Sequence, residues 1–119
     1  MKSNPLDNNI AYLRFAKEAL EMIVQYSKKV ATVHGMLHPE THEVHGYVLK
    51  LIKSIEKSQD ETLIDHRSIM NSLESLRKIT KWFSLPDWAC WTYAALYEML
   101  DAFDVESSEY LNSSNVAIG

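Results

Sequence analysis

The sequence predicts an all-α protein, an antiparallel up-down-up-down four-helix bundle, because chain breakers are scarce and apolar residues recur every three or four positions. Glycine and proline number only three each in 119 residues, whereas turns and strand-rich folds need many of them. Breaks are therefore expected at only three internal places, residues 34–39, 57–60 and 83–86. Three breaks make four amphipathic segments, and residues 1–119 are expected to form one domain.

The first two helices are separated by a glycine and a proline. An apolar stripe runs along the first helix from Leu6 to His34, and Gly35 is expected to follow it as a C′ residue. Pro39 favours the start of a second helix, whose stripe is Thr41, Val44, Val48, Leu51, Ile55 and Ser58. Gly46 inside this helix costs about 1 kcal/mol relative to alanine unless another group packs closely there.

The third helix carries a stripe from His66 to Phe83. Asp60 or Thr62 is expected to cap its N-terminus, since both side chains can accept a hydrogen bond from a free backbone N–H.

The fourth helix is expected to begin at residues 84–87, with Ser84 as its cap and Pro86 in its first turn. The polar tail, residues 112–119, is expected to fray. The stripe of this helix is Ala89, Thr92, Leu96, Met99, Phe103, Glu106 and Tyr110.

Composition argues against several classes of protein. The formal net charge of −4 is unlike the basic surface of a nucleic-acid binder. A single cysteine, Cys90, allows neither an intramolecular disulfide framework nor a cysteine-based zinc module. Residues 1–9 lack the apolar core of a signal peptide, and no apolar run reaches the about 18 residues of a membrane span. We therefore expect a cytoplasmic protein that binds neither nucleic acid nor a membrane.

Two histidines are the candidate metal ligands. His34 and His66 both fall on apolar stripes, and histidines that face a bundle interior can bind a metal ion. They can equally be core residues that are hydrogen-bonded to Thr, Ser or Tyr. The second interpretation is favoured, because no carboxylate on a stripe lies clearly near them.

The other three histidines form a separate set. His38 precedes a proline and is expected in a cap or loop. His42 and His45 are three residues apart and share a helix face. This face is interpreted as solvated rather than as an adventitious zinc or nickel site.

Aromatic residues cluster around the start of the fourth helix. Trp88 and Trp91, with Trp82 before them, lie on a flank apart from the stripe. They either close the end of the bundle or form a surface for a partner or a second copy. Cys90 lies near the predicted helix N-terminus, which activates an exposed thiol, but a buried small apolar residue is the favoured interpretation.

Residues 29–40, KVATVHGMLHPE, resemble the junction of the first two helices in the hemerythrin-like di-iron proteins that repair iron–sulfur clusters. That family typically has K-V-x-x-V-H-G-x-x-H-P-E at this junction. A second block from His66 to Tyr97 is similar to the family's run L-x-x-L-R-x-L-T followed by P-x-x-A-C-x-T-W-x-A-L-Y. The resemblance implies a hemerythrin-like bundle and a setting in stress response or metal homeostasis.

The resemblance implies few of the family's iron ligands. His34 and His66 match ligand positions, whereas the remaining positions hold no ligand and no bridging carboxylate. Most of the segment that usually separates helices two and three is also missing. The resemblance therefore implies a ligand-depleted member, with Leu13 and Tyr110 filling the former site. The positions without a ligand are Leu13, Ser58, Thr62, Tyr110 and Ser114.

Two main functions remain open from the sequence, and a weaker third is a small regulatory bundle that shares only the architecture of the family. The first is a non-enzymatic binding or regulatory protein without a cofactor, which acts on a protein partner or as a homodimer. The alternative is a metalloprotein with one iron or zinc ion at His34 and His66, completed by water or Glu61 and used in sensing or iron–sulfur cluster repair. No catalytic residue is predicted, because no phosphate loop, Ser/His/Asp set or paired acidic motif is present.

Overall fold

Four α-helices make up the computed structural model, which describes residues 5–58 and 64–118. They are α1 (Pro5–His34), α2 (Glu40–Lys57), α3 (His66–Thr80) and α4 (Trp91–Ile118). No strand occurs within the described ranges. The prediction of an all-helical protein with four helices is therefore confirmed.

The junction between α1 and α2 lies where the sequence predicted it. Gly35 directly follows α1, but its φ is not positive, so it is not a left-handed C′ residue. Glycine is required there by contact, since a Cβ would collide with the Ala31 carbonyl oxygen and the His42 ring. Pro39 is the N-cap of α2, with φ −58° and ψ −22°.

The two ends of α3 differ from the prediction. Asp65 caps the helix, and its carboxylate accepts a hydrogen bond from the Ser68 N–H at 3.1 Å. The caps expected from sequence, Asp60 and Thr62, lie outside the described residues. The expected extension to Phe83 was wrong, because the three residues after Thr80 have left-handed φ angles of 52°, 58° and 60°.

The start of α4 was also predicted wrongly. It begins at Trp91, four residues beyond the predicted range of 84–87. Ser84 does not cap it, because the Ser84 hydroxyl donates back to the Lys81 carbonyl oxygen at 2.7 Å. The backbone of α4 is helical to Ile118, so the tail that was expected to fray belongs to the helix.

The core follows the predicted stripes on α1 and α2 closely. All six stripe residues of α2 are buried, as is the α1 stripe from Leu13 to Val30, whereas Ile10 is exposed. On α4 the stripe is rotated from the prediction, since Glu106 is exposed and Thr92, Met99 and Tyr110 are half-buried. Among the α4 side chains that the structure describes, the buried ones are Tyr93, Leu96, Tyr97, Leu100, Phe103, Asp104, Ser107 and Leu111.

Each helix is tied to its neighbours by side-chain hydrogen bonds as well as by apolar contacts. These hydrogen bonds join Ser27 to His45 (α1 and α2), Ser54 to Ser68 (α2 and α3), Arg77 to Asp104 (α3 and α4) and Tyr12 to Ser107 (α1 and α4).

No helix among the described residues is long and apolar enough to cross a membrane.

Candidate functional site

The first and third connections of the chain, residues 35–39 and 81–90, meet at one end of the molecule. The His38 ring, between α1 and α2, lies flat on the Trp88 ring, between α3 and α4, with centroids 3.5 Å apart and planes 8° apart. His34 at the end of α1 lies 5.6 Å from the Trp88 ring and 5.7 Å from the Tyr93 ring. These aromatic contacts fix residues 35–39 and 81–90 against each other.

A left-handed turn sets the path of the second connection. Lys81, Trp82 and Phe83 all have positive φ, which costs about 1–2 kcal/mol for each L-residue. Thr80 holds the turn, because its hydroxyl oxygen accepts a hydrogen bond from the Phe83 N–H at 2.9 Å. The Arg77 guanidinium lies 5.0 Å from the centre of the Trp82 ring and so supports an otherwise exposed indole.

Seven large apolar side chains of these two connections and of the adjoining ends of α1 and α4 are exposed at this end, and we call them the end surface. Trp91, Trp82 and Met36 are 77%, 69% and 96% exposed. The predicted interface residues Trp88 and Trp91 both belong to it. An exposed apolar set of this size is typical of an interaction site on a soluble protein. The end surface comprises Val33, Met36, Leu37, Trp82, Leu85, Trp88 and Trp91.

A cavity of about 390 Å³ opens beside the end surface, lined by Trp88, Tyr93, Tyr97, Leu85 and Glu40 among others. The Tyr93 and Tyr97 hydroxyls lie 3.2 Å apart at its base. Burial raises the pKa of Tyr93 and that of Tyr97, so both phenols stay neutral at physiological pH. The cavity therefore offers a mainly apolar recess with a few polar groups, the kind of recess that receives an anchoring side chain.

Cys90 lies within the same end of the molecule and is exposed. The expectation that it is a buried apolar residue was wrong. It lies in the irregular segment before α4, where the His34 Nε2 atom is 3.3 Å from its Sγ atom. The thiol is thus accessible and has a histidine partner from α1.

The two candidate metal ligands lie far apart. His34 is beside Tyr93 in the first turn of α4, whereas His66 contacts Tyr110 near the other end of that helix, with ring centroids 5.7 Å apart. Seventeen residues separate Tyr93 from Tyr110, which corresponds to about 25 Å along a helix. One ion cannot be bound by both histidines.

Two of the other positions implied by the resemblance are buried in the bundle. Leu13 is a buried core residue, and the Ser58 hydroxyl donates to the Ser54 carbonyl oxygen while it accepts from the Asp65 N–H. Thr62, Glu61 and the side chain of Ser114 lie outside the described residues. Among the side chains that the structure describes, no group of three or more His, Cys, Asp or Glu is arranged to hold a metal ion. Of the positions that the structure describes, Leu13 has no ligand atom, and the Ser58 hydroxyl is engaged by backbone groups.

Tyrosines occupy the end of the molecule where His66 lies. The Tyr110 ring stacks on the Tyr12 ring with centroids 4.1 Å apart and planes 1° apart. Burial raises the pKa of Tyr12 to about 12, although its hydrogen bond to the Ser107 hydroxyl lowers it. Burial lowers the pKa of His66, and the Asp65 carboxylate partly offsets this shift. This end is a packed aromatic contact between α1, α3 and α4.

His42 and His45 do not form the solvated pair that the sequence indicated. His42 is exposed, but His45 is half-buried and its Nδ1 atom is 2.8 Å from the Ser27 hydroxyl oxygen. Burial, with the charge of Lys28 and His42, lowers the pKa of His45. His45 is a structural residue between α1 and α2.

Sequence reasoning missed two parts of the site, the exposed Met36 and Leu37 and the cavity beside Trp88. A signal for the first was present, since two large apolar residues in a predicted turn have no core to enter. The chain has no significant match among the family models, the curated proteins or the solved structures with which it was compared.

Proposed function

We propose that this protein is a non-enzymatic binding protein, a hemerythrin-like bundle without the di-iron centre, which acts as a homodimer joined through the end surface. The observation that carries the proposal is the exposure of seven large apolar side chains, three of them tryptophans, on two connections that contact each other and on the adjoining ends of α1 and α4. Exposed aromatic residues dominate the binding energy of protein interfaces.

The proposal includes an antiparallel up-down-up-down arrangement of the helices. Contacts at both ends of α1 and α4 support it. His34 at the end of α1 contacts Cys90 just before α4, whereas Tyr12 near the start of α1 contacts Ser107 and Tyr110 late in α4. In such a bundle the 35–39 and 81–90 connections share one end.

The area of the end surface fits a second copy of the chain. At about 200 Å² for a fully exposed large side chain, the exposed fractions of the seven residues correspond to roughly 1,000 Å² for each copy. An interface of standard size buries about 800 Å² on each partner. Two end surfaces facing each other are therefore large enough for a stable dimer.

The shape of the end surface also suits a twofold interface, in which the same surface is used by both copies. Met36 and Trp91 are 96% and 77% exposed, and the cavity is lined by two other residues of the end surface, Leu85 and Trp88. A protruding side chain of one copy can enter the cavity of the other, and the twofold axis repeats this contact. The same surface thus supplies both the projection and the recess.

The mass of the protein in solution tests the proposal. We expect sedimentation velocity to show a monomer–dimer equilibrium, and the double variant Met36→Ser/Trp91→Ser to weaken it by at least about 30-fold, which is the effect of losing a single central interface residue worth about 2 kcal/mol. The control is Met22→Ser/Val105→Ser, which removes two exposed apolar residues from the helices (49% and 51% exposed). It is expected to leave the equilibrium unchanged.

Two results would contradict the proposal. One is a monomer at every accessible protein concentration. The other is a dimer that the control variant weakens as much as the end-surface variant does. Metal analysis of untagged protein tests the absence of the di-iron centre separately, and stoichiometric iron or zinc that is lost in His66→Ala would overturn that part alone.

A further inference from the structure

A basic groove lies between α2 and α3, on a part of the molecule that the end surface does not include. It has a volume of about 550 Å³ and is lined on one side by α2 and on the other by residues at and after the start of α3. We call it the α2–α3 groove. Its lining residues are Tyr47, Lys50, Lys53, Ser54, Lys57, Asp65, Arg67, Ser68, Asn71, Ser72 and Ser75.

Positive charge dominates the groove. Lys50, Lys53 and Lys57 follow one another at one helical turn along α2, and Arg67 faces them from α3. Asp65 is the single carboxylate among the lining residues that the structure describes, and one of its oxygens already accepts the Ser68 N–H as the cap of α3. The described part of the groove thus carries four cations against one carboxylate in a chain whose formal net charge is −4.

The walls of the groove are rich in neutral hydrogen-bonding groups. Four serines and Asn71 line it, and Ser54 and Ser72 are buried at its base. The Ser54 hydroxyl donates to the Lys50 carbonyl oxygen and lies 2.6 Å from the Ser68 hydroxyl, which fixes the floor of the groove. Cations above a polar floor match the oxygens of phosphate groups, which accept hydrogen bonds from ammonium, guanidinium and hydroxyl donors.

We propose that the α2–α3 groove binds a chain of linked phosphate groups, as found in free polyphosphate or in the triphosphate of a nucleotide. The spacing of the lysines favours a linear anion over a single phosphate. Lys50 and Lys57 are seven residues apart, which is about 10 Å along a helix. One phosphate reaches part of this row, whereas several linked phosphates contact the lysines together with Arg67.

Calorimetric titration with tripolyphosphate tests this site, with orthophosphate and ATP as the comparison ligands. We expect tripolyphosphate to bind at least about tenfold more tightly than orthophosphate, and its affinity to fall as salt is raised. ATP that binds like tripolyphosphate indicates recognition of the phosphate chain alone. ATP that binds more tightly assigns the site to a nucleotide.

The matched variants keep the change in net charge the same. Lys53→Gln/Lys57→Gln is expected to weaken tripolyphosphate binding by about tenfold or more, because it removes two cations of the groove. Lys17→Gln/Lys29→Gln removes two exposed lysines from α1 and is expected to change binding less than twofold. Equal weakening by both variants, or equal affinity for orthophosphate and tripolyphosphate, would overturn the proposal, as would no binding at moderate salt.

Discussion

Arg77 of α3 and Asp104 of α4 form a bidentate ion pair, with Nε to Oδ2 at 2.8 Å and Nη2 to Oδ1 at 2.6 Å. The same guanidinium donates to the Ser108 hydroxyl at 2.7 Å and lies against the Trp82 ring. Asp104 is buried, and its hydrogen bond raises the pKa of Arg77. Arg77 therefore links α4 to Trp82, a residue of the end surface.

Removal of the Asp104 carboxylate is expected to destabilise the protein. Asp104→Ala leaves the Arg77 charge half-buried without its partner, which lowers the free energy of unfolding by about 2 kcal/mol. Urea denaturation measures this change. Asp101→Ala, at an exposed position of the same helix, is the control and is expected to stay within about 0.5 kcal/mol of the parent protein. Equal losses in both variants would show that the ion pair contributes nothing specific.

The two internal glycines are expected to respond in opposite ways to alanine. Nothing lies within 4 Å of a Cβ added at Gly46, so Gly46→Ala is expected to stabilise α2 by about 1 kcal/mol. Gly35→Ala brings a Cβ onto the Ala31 carbonyl oxygen and is expected to lower the melting temperature. Thermal unfolding followed by circular dichroism compares the two, and a loss of stability in Gly46→Ala would contradict the first expectation.

The fold could be predicted to the extent that burial follows an apolar pattern. On α2 every stripe residue is apolar or a small hydroxyl residue, and all of them are buried. On α4 the buried face includes Asp104 and Ser107, whose partners Arg77 and Tyr12 lie 27 and 95 residues away in sequence. A prediction from apolar periodicity treats polar residues such as Asp104 and Ser107 as exposed. The predicted buried face of α4 is therefore rotated from the observed one.

The candidate site was predictable in its residue types and not in its geometry. Trp88 and Trp91 stood out because they lie off the stripe, but the left-handed turn after Thr80 has no glycine to indicate it. The large distance between His34 and His66 could have been predicted from the order of the helices. In a bundle whose helices alternate in direction, the end of the first helix and the start of the third lie at opposite ends.

The stability of the protein is expected to fall on acidification because of His45 and His66. Burial lowers the pKa of both imidazoles below the ordinary value of 6.5, so the unfolded chain binds protons more readily than the folded one. Their contribution is present above about pH 6.5 and is lost as the pH falls below it. Urea denaturation at about pH 8 and about pH 5 measures this loss.

Substitution of one of these histidines is expected to reduce the dependence of the free energy of unfolding on pH. His45→Gln removes a titrating group that faces Ser27, so the difference in stability between the two pH values is expected to shrink. His42→Gln is the control, because His42 is exposed, and it is expected to keep most of the difference. An unchanged pH dependence in His45→Gln would show that the burial of this imidazole contributes nothing to the pH dependence of stability.

Glycine at the first left-handed position of the second connection is expected to stabilise the protein. Lys81 has φ 52°, a conformation that costs a lysine about 1–2 kcal/mol and costs glycine almost nothing. Glycine also lowers the free energy of unfolding by about 0.4–1 kcal/mol, because it gives the unfolded chain more conformational freedom. The net increase in the free energy of unfolding expected for Lys81→Gly is therefore about 0.5–1 kcal/mol. Lys53→Gly, at an exposed position inside α2, makes the same chemical change in a right-handed helix and is expected to lose about 1 kcal/mol. Urea denaturation of both variants separates the effects, and a loss of stability in Lys81→Gly would show that the lysine side chain is required at the turn.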